Sequence, residues 1–120
     1  MPAHNYISQV ISGVANGESS KTQIVGLPQN VKLTLNGIYL EEVTSTLTNY
    51  FVLNIYYNLK LVASFDYRAL LVANGSSNTR SDNYIDLDLD LNVGDIITFS
   101  IVSGSNAASA LVIVDYTVVS

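Results

Sequence analysis

From residue 31 onward, apolar and polar positions alternate with a period of two along most of the chain, the pattern of strands that put one face into a core. Val31, Leu33 and Leu35 alternate with Lys32, Thr34 and Asn36, and Asn36-Gly37 then precedes Ile38-Tyr39-Leu40. Asn-Gly supplies two residues that tolerate positive φ, so residues 31–42 are expected to form a tight hairpin on a type I′ turn. Phe51, Leu53, Ile55, Tyr57, Leu59 and Leu61 mark one face of a long extended segment, with Tyr50, Asn54, Tyr56, Asn58 and Lys60 on the other. Residues 65–73 read as a further strand, closed by the loop-forming run 74–78. Residues 85–91 alternate Asp with aliphatic side chains, and Asn92-Val93-Gly94-Asp95 turns into a strand over 96–102. The last strand, 110–119, is apolar on both faces over much of its length, so it is expected in the middle of a sheet or covered on both sides.

The first 30 residues carry two patterns. Tyr6, Ile7, Val10, Ile11 and Val14 recur at helical spacing, with Asn5 at an N-cap position, but Tyr6, Ser8, Val10, Ser12 and Val14 also alternate. β-Branched residues and Gly13 disfavour the helix, and strand is the expectation. A short strand over 22–25 ends at Gly26-Leu27-Pro28. Together these elements predict an all-β protein, an antiparallel β-sandwich of about eight strands with a jelly-roll path. Residues 1–120 are expected to form a single domain, with residues 1–28 able to extend as an N-terminal arm.

Composition narrows the function. Charged residues make up 12% of the chain, about half the usual share, and its polarity comes instead from Asn, Ser, Thr and eight tyrosines. There is no cysteine, which excludes disulfide frameworks, thiolate nucleophiles and the usual structural zinc sites. A net charge of -5 with five basic residues argues against a nucleic-acid partner. The longest apolar runs, 69–73 and 110–114, are far below the length of a membrane-spanning helix, and the amino terminus shows no signal peptide. His4 is the single histidine and sits near the terminus, and no nucleophile elbow, Walker loop or zinc-protease motif occurs. No enzymatic activity is expected.

Two features invite a site. Asp82, Asp86, Asp88, Asp90 and Asp95 place half of the ten acidic residues in one short stretch. Asp86, Asp88 and Asp90 would share a strand face at roughly 6.8 Å spacing, where Coulomb repulsion in water is only about 0.6 kcal/mol per pair. They can therefore stay solvated, or meet Lys60, Arg68 or Arg80 at an interface. Calcium is a further candidate, with Asp82, Asn83, Asn92 and Asp95 at the strand ends as ligands; no other cofactor is expected. The tyrosines are the second feature. Tyr50 and Tyr56, beside Asn54 and Asn58, suit a subunit interface, where Tyr is enriched and charge depleted, or the stacking face of a glycan site. Asn74-Gly75-Ser76 is a glycosylation sequon on an expected loop.

The run Leu91-Asn-Val-Gly-Asp-Ile-Ile-Thr-Phe-Ser-Ile101, followed by a polar loop and the strand 110–119, resembles the closing strands of compact jelly rolls. These include the single jelly-roll structural proteins of icosahedral viruses, such as vertex, turret and spike subunits, and the tumour-necrosis-factor-like trimers. The low-charge, Tyr- and Asn-rich composition is likewise similar to that of virion proteins from extremophilic hosts. The resemblance implies a viral or phage structural protein, located in the virion or outside the cell, that forms homo-oligomers or docks on other capsid subunits and attaches to hosts through its loops. It carries over no catalytic residue. Two alternatives stand beside it. One is a carbohydrate-binding module or lectin. The other is a fimbrial or filament subunit whose residues 5–15 insert as a strand into the next subunit.

Overall fold

The computed structural model describes residues 3–42, 51–67 and 84–119. Among the described residues nine strands follow in order: β1 (Asn5–Ser12), β2 (Gly17–Glu18), β3 (Thr22–Gln23), β4 (Leu33–Glu42), β5 (Phe51–Tyr57), β6 (Lys60–Asp66), β7 (Tyr84–Leu91), β8 (Ile97–Ser103) and β9 (Ser109–Val118). They form two antiparallel sheets, β1-β9-β4-β7 (sheet 1) and β2-β8-β5-β6 (sheet 2), with β3 also pairing β8. Ser19 bridges β2 and β3: its amide donates to the Ile101 carbonyl at 2.8 Å and its Oγ accepts the Ile101 amide at 2.9 Å. Counted as one interrupted strand, β2 and β3 bring the total to eight positions. The sheet orders become first-eighth-third-sixth and second-seventh-fourth-fifth, which is the jelly-roll path. The all-β sandwich expected from the alternation is therefore the fold.

The core lies between the sheets. Leu33, Leu35, Ile38, Leu40, Val112 and Val114 of sheet 1 meet Phe51, Leu53, Ile55, Phe99 and Ile101 of sheet 2, all at 1% exposure or less. Within residues 1–28, the stretch read as able to extend as an arm, β1 pairs β9 and β2 and β3 pair β8 of the same chain. β1 pairs β9 from Asn5↔Tyr116 to Ser12↔Ser109, and Ile11 and Ile24 are buried. The last strand is central in sheet 1, as its two-sided apolar pattern predicts.

Two turn assignments change. Residues 31–42 do not fold back on Asn36-Gly37: β4 is one strand, with an irregularity between Leu35 and Gly37 against both neighbours. Core positions are Leu33 and Leu35 before it and Ile38 and Leu40 after it, so the phase slips by one residue. One extra residue is a bulge rather than a turn, and it puts Asn36 and Gly37 on the same outer side. Gly37 holds no positive φ. Its requirement is space: a Cβ there would sit 2.4 Å from the Ile85 carbonyl oxygen and 2.5 Å from the Tyr84 ring and hydroxyl.

The converse error lies at residues 51–61, expected as one strand. They form a hairpin, β5–β6, whose turn is Asn58-Leu59 with φ of 49° and 71°. Asn tolerates this region and is fastened there. Its amide donates to the Ile96 carbonyl, and its side chain donates to Asp95 Oδ1 at 3.0 Å and accepts the Ile96 amide at 2.9 Å. Leu59 has no such compensation and is 73% exposed. A left-handed conformation costs an L-residue roughly 1–2 kcal/mol, partly offset by the greater unfolded-state freedom of glycine. Leu59→Gly is therefore expected to stabilise the protein by about 0.5–1 kcal/mol, seen as a higher midpoint in urea with an unchanged slope.

Candidate functional site

The outer face of sheet 1 is built around one buried carboxylate. Asp115 lies on the central strand β9, in register with Tyr6 of β1 and close to Gly37 of β4, and its side chain is 5% exposed. A charge in that position needs donors, and three elements supply them. His4 Nδ1 lies 2.7 Å from Asp115 Oδ1, Asn36 Nδ2 donates to the same oxygen at 3.2 Å, and the Tyr84 hydroxyl donates to Oδ2 at 3.1 Å. Asn36 also donates to Thr117 Oγ1 at 3.0 Å. The β4 bulge makes this arrangement: it turns Asn36 outward, and the bare Gly37 backbone leaves room for the Tyr84 phenol to cross β4 and reach β9. Burial first, and then the Asp115 hydrogen bond, push the Tyr84 phenol well above its ordinary pKa and keep it a neutral donor.

Around this carboxylate runs a row of rings. His4 stacks on Tyr6 at 6.5 Å between centroids, Tyr6 lies 6.5 Å from Tyr39, and Tyr39 lies 4.7 Å from Tyr84. Tyr6 and Val10 on β1 are 58% and 47% exposed. At the other edge of the same sheet, Asp86, Asp88 and Asp90 of β7 are all exposed, and Asp90 Oδ1 accepts the Thr34 hydroxyl at 2.9 Å. The outer face of sheet 1 thus has two halves: an aromatic–aliphatic one toward β1, whose acids are buried Asp115 and partly buried Glu41 in register with Leu111, and one on β7 with three exposed acids.

Sheet 2 carries a polar row across four strands. Glu18 of β2 accepts hydrogen bonds from Ser100 of β8, Tyr56 of β5 and Asn54 of β5, the last at 3.4 Å. Asn54 Oδ1 in turn accepts Ser64 Oγ of β6 at 2.7 Å. Tyr56 is buried, and Lys21 Nζ sits 4.6 Å from its ring centroid, so that ring face is already occupied. Asn58 is committed to the turn described above. Asp95 accepts from Tyr57, Asn58 and the Asn92 amide, closing the 92–95 turn. Asp82, Asn83, Tyr50, Arg68, Arg80 and the sequon at Asn74 lie outside the described residues. Among the described residues no three His, Cys, Asp or Glu side chains converge as metal ligands.

Two of these carboxylates predict an acid response. The Ser100 and Tyr56 hydrogen bonds hold Glu18 below its ordinary 4.5, and the Tyr57, Asn58 and Asn92 donors hold Asp95 below 3.8. A depressed folded-state pKa contributes stability that is present above the unfolded value and lost as pH falls through the folded one. The melting temperature is therefore expected to be flat above about pH 5 and to fall below it. The Glu18→Gln, Asp95→Asn double variant should melt lower at neutral pH and show a shallower acid fall; an acid limb as steep as the parent's would refute the assignment.

No protein-family model matches the chain, and no curated protein matches it. Among solved structures, a chain from the acidic stable capsid structure of Helicobacter pylori bacteriophage KHP30 superposes with a TM-score of 0.51 at 14% identity, covering 98% of this chain and 95% of that one. The likeness shows the fold. The nucleoplasmin-like N-terminal domain of Drosophila FKBP39 aligns over 94% of this chain and 89% of its own, at 15% identity and a TM-score of 0.34.

Sequence reasoning placed Asn54 and Tyr56 on one outer face and Asp86, Asp88 and Asp90 on another, and the structure does the same. It did not find the Asp115 cluster. His4 reads only as a residue near the terminus, yet its ring lies between Tyr6 and Asp115. The available signal was Asp115 itself, a single charge closing the run Leu111-Val112-Ile113-Val114 of a strand expected to be central.

Proposed function

We propose that this protein is a structural subunit of a virion, a jelly-roll domain that associates with copies of itself or with other capsid subunits through the aromatic–aliphatic half of sheet 1. The observation that carries the reading is the division of that sheet. Exposed Tyr6 and Val10 continue into partly buried Tyr39, Tyr84 and Leu111; the acids among them are buried Asp115 and partly buried Glu41, in register with Leu111, while the exposed acids described on this face lie on β7. Subunit interfaces favour Tyr and deplete charge in their centres, and like-charged β7 faces repel one another. Orientation is thereby restricted to contacts that leave β7 outside.

The phage capsid chain supports the same reading, since the two match over nearly their whole lengths and that chain belongs to a capsid. The low charged fraction supports it too, because neutral polar surface costs less to desolvate than ion pairs do. A glycan-binding role draws less support: the Tyr56 ring is buried beneath Lys21, which leaves little stacking surface. The test is to fractionate particles from the biological source of the sequence and measure this chain by quantitative peptide mass spectrometry. Co-sedimentation with particles at a fixed copy ratio to the major shell protein, retained after a high-salt wash, is expected. Recovery only in the particle-free fraction would overturn the proposal.

A further inference from the structure

We infer that two copies of this chain join by pairing β1 antiparallel to itself about a two-fold axis at Ser8, making one continuous sheet from the two copies of sheet 1. The inference rests on the self-association proposed above and adds the surface and the register.

It starts from the sheet edges. Among the described strands, β1 and β7 end sheet 1, β6 ends sheet 2, and the β2–β3 segment forms the other end of sheet 2. Natural edges are protected by charge, bulges or interruption, because a row of unpaired amides and carbonyls otherwise recruits another strand. β7 carries three aspartates. β6 has Lys60 and Asp66 at its ends and a register shift beside Tyr56. The β2–β3 segment is broken and carries Glu18 and Lys21. β1, with the sequence NYISQVIS, has eight residues, no charge and an unbroken register. It is the unprotected edge.

The hydrogen-bond parity of β1 follows from one contact. The Gly13 amide donates to the Ala108 carbonyl at 2.7 Å, and this pair continues the β1–β9 register without a shift. In an antiparallel ladder, hydrogen-bonded pairs alternate with pairs whose main-chain groups point away. Odd-numbered residues of β1 are therefore bonded to β9, and Tyr6, Ser8, Val10 and Ser12 turn their amides and carbonyls to the open edge. A second β1 must meet these groups with its own even-numbered residues, so near the middle of the strand a two-fold axis falls either at a hydrogen-bonded pair (Tyr6, Ser8 or Val10) or at a non-hydrogen-bonded pair (Ile7 or Gln9). The axes at Ser8 and Gln9 overlap the strands most fully, by seven residues each, and only the one at Ser8 brings the exposed Tyr6 and Val10 of the two copies opposite each other. It sets Tyr6 opposite the partner's Val10, and Val10 opposite the partner's Tyr6, with both pairs on the outer face. Each of these pairs and the central Ser8 pair exchanges two main-chain hydrogen bonds, and the two Tyr6–Val10 pairs bury an exposed ring against an exposed aliphatic side chain. An interface of this kind is self-complementary and closes as a dimer.

The absence of cysteine makes the register directly testable in the full chain. Directly opposed residues of a hydrogen-bonded pair lie about 5.5 Å apart at Cα, within disulfide range. Ser8→Cys is expected to give a covalent dimer under mild oxidation. Ser12→Cys should not, because its two copies would lie roughly 27 Å apart along the paired strands. Equal cross-linking of the two variants, or none at Ser8→Cys in a sample that sediments as an oligomer, would overturn the pairing while leaving self-association standing. A parent chain that is monomeric at every concentration would overturn both. Ser8→Pro removes an amide that points to the edge and spares the ladder to β9, so a folded monomer is expected; a folded Ser8→Pro dimer would contradict the inference.

Discussion

Gly37→Ala is expected to be among the most damaging single-methyl changes in this protein, costing about 3 kcal/mol. The added carbon would fall 2.4 Å from the Ile85 carbonyl oxygen and 2.5 Å from the Tyr84 ring and hydroxyl, so β7 or the phenol must move. Overpacking of this kind costs roughly 1–3 kcal/mol, and displacing the phenol withdraws a donor from a buried carboxylate, worth a further 1–3 kcal/mol. For a chain of this size the melting temperature should fall by roughly 10 °C. Gly17→Ala is the control, because the nearest atom to its Cβ position is a Val14 methyl at 4.0 Å. A loss below 0.5 kcal/mol, on the order of an ordinary surface substitution, would show that Gly37 is not the passage through which Tyr84 reaches Asp115.

Asp115→Ala is the second large effect, also about 3 kcal/mol. The substitution leaves the Tyr84 hydroxyl and the Asn36 amide without their acceptor in a part-buried site, and each orphaned donor costs roughly 1–3 kcal/mol. Asp115→Asn keeps one acceptor oxygen and is expected to cost about half as much. Because the glycine and aspartate changes break the same Tyr84–Asp115 contact, the Gly37→Ala, Asp115→Ala double variant should lose less than the sum of the two. Strict additivity in denaturant unfolding would separate the two sites and dissolve the cluster.

These residues also show how far the sequence could be read. Alternation finds strands, because period two reports which side chains enter the core; β7, β8 and β9 lie close to where it places them. It cannot tell a turn from a bulge. At Asn36-Gly37 a one-residue phase slip, from Leu35 to Ile38, sits on the most favoured hairpin dipeptide, and the local preference points to the wrong device. At Asn58-Leu59 the opposite happens. The two-residue turn moves the inward set from odd to even positions, and the β6 register shift moves it back, so Phe51, Leu53 and Ile55 remain in phase with Ala63 and Phe65. A real hairpin is thereby hidden inside an unbroken pattern. The site was harder still. Asp115 depends on His4, Asn36 and Tyr84, which are 111, 79 and 31 positions away in sequence, and no local pattern joins residues at such separations. The acidic face was legible because all of its members lie on one strand.

Exposed aromatic and aliphatic side chains on one half of sheet 1 and exposed acid on the other are the basis for reading this protein as an assembling subunit, and sedimentation of the full chain tests it most directly. Across micromolar to near-millimolar concentrations the parent chain should shift from monomer to a discrete oligomer. Val10→Glu, which puts a charge at an exposed position of the aromatic–aliphatic half, should remain monomeric with a melting temperature within about 2 °C of the parent's, as expected for a surface change. A parent chain that sediments as a monomer throughout, or a Val10→Glu variant that associates as strongly as the parent, would contradict the account.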